Sequence, residues 1–182
     1  MNETEQLLNK LKKLGENDPI EAMDLFKILK EGSKNVSINT IMGMSTFLRD
    51  DFKHIQDKYK DHYTESILSQ LLRINEIKKD NNVYHTKIDK NKFNKAISNI
   101  TKFLNYDNLY KGEDKFNLIS ILVTLYSSFL IEKPIHPVGT IFPGENLKIR
   151  NENGEFFCPV KKKQINNPNS LCVFCVCKQD QF

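Results

Sequence analysis

Over the first 133 residues apolar side chains recur at steps of three and four, the spacing that lines one face of an α-helix. Leu7, Leu8, Leu11 and Leu14 mark a first short helix with Gly15 at its C-terminal cap. Asp18-Pro19-Ile20-Glu21 joins a capping carboxylate, a proline suited to the first helical position and a glutamate three residues after the cap. A second helix is predicted from there to about Lys30, with Gly32 after it. Ser37 caps a third, whose face is Ile38, Ile41, Met42, Leu48, Phe52, Ile55 and Tyr59. A fourth carries Tyr63, Ile67, Leu68, Leu71, Leu72 and Ile77. The polar run 78–84 reads as a surface connection. Asp89 caps a helix bearing Phe93, Ile97, Ile100, Phe103 and Leu104. Asp114 caps the most apolar segment, which Pro134 and Pro137 end by removing donors and disfavouring helical geometry before each ring.

Beyond Pro134 the periodicity changes. Residues 136–146, HPVGTIFPGEN, read as a loop, and LKIRNENGEFFCPV as two short strands about an Asn-Gly turn. Pro168-Asn169-Ser170 can cap a closing helical turn or two over LCVFCVCKQ. The predicted fold is mainly α: a helical bundle of about six helices over 1–133, and a Cys-rich C-terminal unit over 134–182, with a small β-hairpin, packed on it as one structural domain.

Composition narrows the classes. A chain of 182 residues, 39% hydrophobic and 27% charged, can bury a real core, and a net charge of +4 permits nucleic acid without indicating it. The opening MNETEQLLNKLKKLG carries charges throughout and has no apolar core of a secretory signal, so a cytoplasmic location is expected. The longest uncharged stretch, 116–131, has 16 residues, short of the roughly 20 that span a bilayer, so no membrane is expected. Thiols or thiolate ligands are therefore favoured over disulfides.

All four cysteines fall in the last 25 residues, as Cys158, Cys172, Cys175 and Cys177, behind His136. A segment this short has little apolar surface, and a bound ion could supply the missing stability. Cys172 and Cys175 have the C-x2-C spacing that brings two thiolates to one ion, and Cys158 arrives from a hairpin end. If the tail is helical, Cys177 points roughly 140° away and His136 is the natural fourth ligand. If it is a knuckle or strand, Cys177 can turn in as the alternative fourth ligand. Zinc suits either set and leads over an iron–sulfur cluster. The plainer readings are small buried apolar cysteines beside Phe156, Phe157 and Phe174, or a redox-active C-x-x-C. Zinc deaminase chemistry is excluded, because no H-x-E occurs at His136 and Leu171 stands where a proline would precede the C-x2-C.

Catalysis has no constellation: neither a phosphate-binding glycine motif nor a serine elbow occurs. The expected role is a structural zinc site in a protein that engages protein or RNA. One alternative is a metal-dependent enzyme with an open metal position, its substrate held by the 138–144 loop and Lys161, Lys162 and Lys163; another is a thiol redox protein.

The stretches IHPVGTIFPG, FFCPVK and LCVFC, in that order, resemble the ending of a family of uncharacterised small proteins found mainly in methanogenic archaea. The match covers roughly residues 134–178. It implies a helical N-terminal part, cysteines at Cys158, Cys172 and Cys175, a histidine at His136, and a looser position at Cys177. It implies no known activity. Glu145 departs from it, where a second glycine is expected.

Overall fold

The computed structural model describes residues 2–51, 56–105, 114–142, 147–167 and 170–180, with backbone alone at 45–47 and 49–51. Phe52, Ile55, His54, Gly144, Glu145, Pro168 and Asn169 lie outside the described residues. In chain order the elements are α1 (Glu3–Leu14), β1 (Ile20–Glu21), α2 (Ala22–Ser33), α3 (Ile38–Asp51), α4 (Asp57–Leu72), α5 (Ile74–Lys79), β2 (Lys87–Ile88), α6 (Lys90–Asn105) and α7 (Asp114–Phe129). The C-terminal part adds β3 (Arg150–Glu152), β4 (Glu155–Cys158), a single turn α8 (Lys161–Gln164), a 3-10 turn (Leu171–Phe174) and β5 (Lys178–Gln179). The architecture is mainly α, a helical bundle with a small C-terminal β unit.

α7 is buried almost all round, as a helix without a polar face must be, and α1, α2, α4 and α5 pack against it. Gly32 is no stop signal. It lies inside α2, where a Cβ would meet Leu122 Cδ2 of α7 at 3.0 Å, so its lack of a side chain lets the two helices approach. Gly15 does cap α1, but with right-handed geometry (φ −64°). A Cβ there would meet Asn94 Oδ1 at 2.1 Å, and Asn94 donates to the Gly15 carbonyl at 3.1 Å.

Three sequence expectations give way to tertiary pairing. The helix foreseen at Asp18-Pro19 begins later, at Ala22, because Ile20 and Glu21 are drawn into an antiparallel pair with Ile88 and Lys87. The third and fourth helices divide differently: Tyr59, expected on the third, lies in α4 (Asp57–Leu72), and Ile77 belongs to a separate α5. The run 78–84 is more than a surface connection. Asp80 is only 9% exposed, and its carboxylate accepts from Tyr84 Oη (2.6 Å), Tyr126 Oη (2.8 Å) and the Asn82 N–H (2.8 Å). Burial pushes this carboxyl up, but the three hydrogen bonds together with the Lys30 charge outweigh it and hold it below the usual carboxylate range. Tyr84 is pushed up to about 12 by burial and by the same carboxylate.

The hairpin forms as the Asn-Gly pattern predicts: Asn153 (φ 52°) and Gly154 (φ 83°) both have positive φ, as a tight two-residue turn between right-twisted strands requires. Less foreseeable is β5, which runs parallel to β4, with Cys158 opposite Gln179. The closing helical turn expected over LCVFCVCKQ forms only at Leu171–Phe174, as a 3-10 turn, and this pairing takes the end of the segment into a strand.

Candidate functional site

Two segments bring the thiols together. β4 delivers Cys158 to the start of a Cys-Pro-Val-Lys turn, in which the backbone N–H groups of Val160 and Lys161 donate to the Cys158 sulfur. Ser170 caps the 3-10 turn by accepting from the Cys172 N–H at 3.1 Å, and the chain leaves that turn extended at Cys175 (φ −63°, ψ 140°). The Cys175 sulfur accepts from the N–H groups of Cys177 and Ile135 and from the Cys177 thiol. Cys158 interacts electrostatically with Cys172, Cys175 and Cys177, so all four belong to one neighbourhood. Cys158 and Cys177 are buried, and Cys172 and Cys175 half-buried.

Crowding of four acidic groups in a low-dielectric place sets their titration. Burial pushes the Cys158 thiol up to about 11, against its two N–H donors, and raises Cys172 as well. Cys175 and Cys177 share one proton: the hydrogen bond from Cys177 lowers Cys175 and correspondingly raises Cys177. Among the described residues, no three or more His, Cys, Asp or Glu side chains are arranged so that together they could hold a metal ion as they stand. The thiols are neighbours, not a preformed cage.

Two cations flank them. Lys161 Nζ donates to the carbonyls of Cys175 (2.7 Å) and Cys177, which ties the two segments together and takes this lysine out of the exposed basic run. Lys162 and Lys163 stay exposed. Arg73, at the junction of α4 and α5, is only 10% exposed. Its Nη1 donates to Ser127 Oγ (2.8 Å) on α7 and to the carbonyls of Pro134 (2.6 Å) and Ile135 (3.4 Å). Burial lowers its pKa, and Glu76, Tyr126 and Cys175 pull the other way. Phe174 enters the main core, its ring 6.2 Å from that of Phe129.

His136 interacts electrostatically with Arg73 and with none of the sulfurs. Its ring packs on the edge of Phe142 at 5.5 Å, hydrogen bonds to no described residue, and lines a pocket that Cys172 also touches. Burial, with a smaller contribution from Arg73, lowers its pKa to about 4, so it is neutral. His62 and His85 are exposed. Of the 138–144 loop, the described residues 138–142 are pinned by backbone bonds from Gly139 N to Ile149 O (2.9 Å) and Ile149 N to Thr140 O (3.0 Å), and Gly139 has the positive φ (90°) that glycine tolerates. Sequence reasoning missed Arg73 altogether. Its only signal was a basic residue beside apolar Leu72 and Ile74, which a surface arginine shows equally well.

Fold and site together define a class: a mainly helical bundle with a cysteine-bearing C-terminal β unit fastened to it. The chain belongs to the family described as "Uncharacterized protein conserved in archaea (DUF2115)", whose model matches residues 21–180. It is 37% identical over 162 residues to a UPF0305 protein of Methanocaldococcus jannaschii, covering 87% of this chain and 96% of that relative. It is 35% identical over 159 residues to a UPF0305 protein of Methanothermobacter thermautotrophicus, with the same coverage of 87% and 96%. No solved structure matches. Among the described residues no helix is long and apolar enough to cross a membrane.

Proposed function

We propose that Cys158, Cys172, Cys175 and Cys177 bind one zinc ion, and that this ion fastens the C-terminal unit to the bundle in a non-catalytic protein that presents this unit to a protein partner. The observation that carries the reading is the gathering of four thiols from two segments, with backbone N–H groups favouring the thiolate at Cys158 and at Cys175. At Cys175 these donors and the Cys177 thiol outweigh burial, while at Cys158 burial still holds the proton, which a metal ion would displace. Charge balance agrees: a divalent ion with four thiolates leaves two negative charges, and Lys161 and Arg73 supply two positive ones beside Cys175. Drawing the sulfurs into a tetrahedron is the closing step, so binding is coupled to ordering of the tail.

Of the two candidates for the fourth position, Cys177 is favoured over His136. Cys177 interacts with Cys175 and Cys158 along the extended chain that leaves the 3-10 turn, whereas His136 interacts with Arg73 and with none of the sulfurs. A thiol redox carrier is the second reading, favoured by the Cys175–Cys177 hydrogen bond alone.

Protein purified without chelator is assayed by elemental analysis and X-ray absorption. The expected result is one zinc per chain with four sulfurs at about 2.3 Å. Cys177→Ser should drop the sulfur count by one, while His136→Phe leaves it unchanged. Metal-free protein with a fully protected tail sinks the proposal, and a readily formed Cys175–Cys177 disulfide in that protein turns it toward redox chemistry.

A further inference from the structure

A pocket of about 470 Å³ opens between α4, α7 and the C-terminal unit. Its size falls in the roughly 300–1,000 Å³ range of small-molecule sites. Three polar side chains in its wall hydrogen bond to no described residue. Gln70 of α4 is 7% exposed and Ser120 of α7 is 5% exposed, yet neither side chain hydrogen bonds to any described residue, and the His136 imidazole does not either. Among the described residues the sealed-off polar atoms without a partner are Asn117 Oδ1, Thr124 Oγ1 and Ser128 Oγ, and none of the three pocket residues is one of them: they line the cavity. Three such groups on one cavity wall are open to hydrogen bonds from whatever enters it.

The rest of the wall says what kind. Tyr63, Phe116 and Phe142 contribute ring surfaces, with Tyr63 and Phe142 at 6.3 Å between centroids, and among the described residues no Lys, Arg, Asp or Glu lines the pocket. A charged ligand would lose its hydration there without a counter-ion. An aliphatic one would leave Gln70, Ser120 and His136 unpaired. The geometry points to a binding site for an uncharged, planar heteroaromatic molecule: its faces lie against the rings, and its donor and acceptor edges meet the Gln70 amide, the Ser120 hydroxyl and the His136 imidazole. Gln70 supplies both a donor and an acceptor, so it reads an amide-like edge. The proposal does not rest on the zinc reading, because Gln70, Ser120 and His136 lie outside the proposed ligand set, but Cys172 and its neighbours Ser170 and Leu171 line the same pocket, so the zinc content of the tested protein is fixed.

The test uses the full-length protein of determined zinc content and lumichrome, a neutral fused heteroaromatic ring with amide-like edges. The chain has no tryptophan to confuse its fluorescence. Fluorescence anisotropy is expected to show one saturable site with Kd below about 100 μM. Gln70→Leu, which keeps volume and removes the amide, should weaken binding about tenfold or more. Ser120→Leu, which fills the cavity, should abolish it, and a carboxylate derivative of the same ring should bind about tenfold more weakly. Both variants are checked by circular dichroism, and a folded variant that binds lumichrome undiminished overturns the proposal. So do a lack of saturation up to about 1 mM, which leaves ordered water as the occupant, and equal binding of the carboxylate.

Discussion

The bundle and the C-terminal unit are held by different physics within one chain. In the bundle, Leu11, Leu25, Leu29, Ile74, Phe93 and Ile100 are fully buried, and helices of 12 to 16 residues present enough apolar face to close over them. The C-terminal cluster has four buried members, Phe142, Ile149, Cys158 and Cys177, two of them thiols. Beside the apolar anchor Phe174, which enters the main core, its fastenings are polar: Arg73 to the Pro134 and Ile135 carbonyls, Lys161 to those of Cys175 and Cys177, and Arg150 to both oxygens of Asp180 at 2.7 and 3.0 Å. The difference follows from size. Apolar burial grows with element length, so short strands and single turns depend on directed bonds, and on an ion where sulfur is available.

The hardest blow to this contrast would be dealt in the core. Phe93→Ala should destabilise the whole protein by about 3–5 kcal/mol in urea unfolding, because the cavity lies where α6 meets Phe129. If only the C-terminal unit loosened, the bundle would not be the apolar anchor. Next comes Arg73→Met, which strands the Pro134 and Ile135 carbonyls and should cost about 2–3 kcal/mol. Hydrogen exchange should rise first in 134–180 and leave α1 and α2 protected. Uniform loosening would erase the distinction.

The smallest expected effect sharpens it from the other side, with a polar knot inside the bundle. Tyr126→Phe removes one donor to Asp80 and should cost about 1.5 kcal/mol at neutral pH. The folded carboxyl is held below its unfolded value, so its contribution is present above the unfolded pKa of about 4 and is lost as pH falls through the folded pKa. Unfolding measured between about pH 2 and 6 should therefore show a shallower acid loss in the variant. Identical pH slopes would mean that Asp80 is not the group being read.

Much of this was legible beforehand, and the misses share one cause. The steps through Leu7, Leu8 and Leu11, and through Phe93, Ile97 and Ile100, announce helices because one helix face is a local pattern. Asn153-Gly154 announces its turn because positive φ is a local demand. The strand partners Ile20 and Ile88 are 68 positions apart, and Phe157 and Lys178 are 21 apart, so no window along the chain contains them. The helical turn expected at Cys172 forms, as a 3-10 turn over Leu171–Phe174, but its continuation toward Lys178 gives way to that long-range pairing. For the candidate site, the cysteine spacing singled out the residues, but which sulfurs have N–H donors, and that His136 faces a pocket, depend on the path of the chain after Cys175.

By itself the amino-acid order determined a helical bundle, a turn at Asn153-Gly154 and the clustering of all four cysteines near one end of the chain, since each is written in local spacing. The tertiary structure alone decided that β4 and β5 bring Cys158 to the other three thiols, that Arg73 clamps the bundle to the C-terminal unit, that Gly32 makes room for Leu122, and that Gln70, Ser120 and His136 line one cavity. Those are matters of proximity between distant segments, and proximity is settled by packing and not by sequence period.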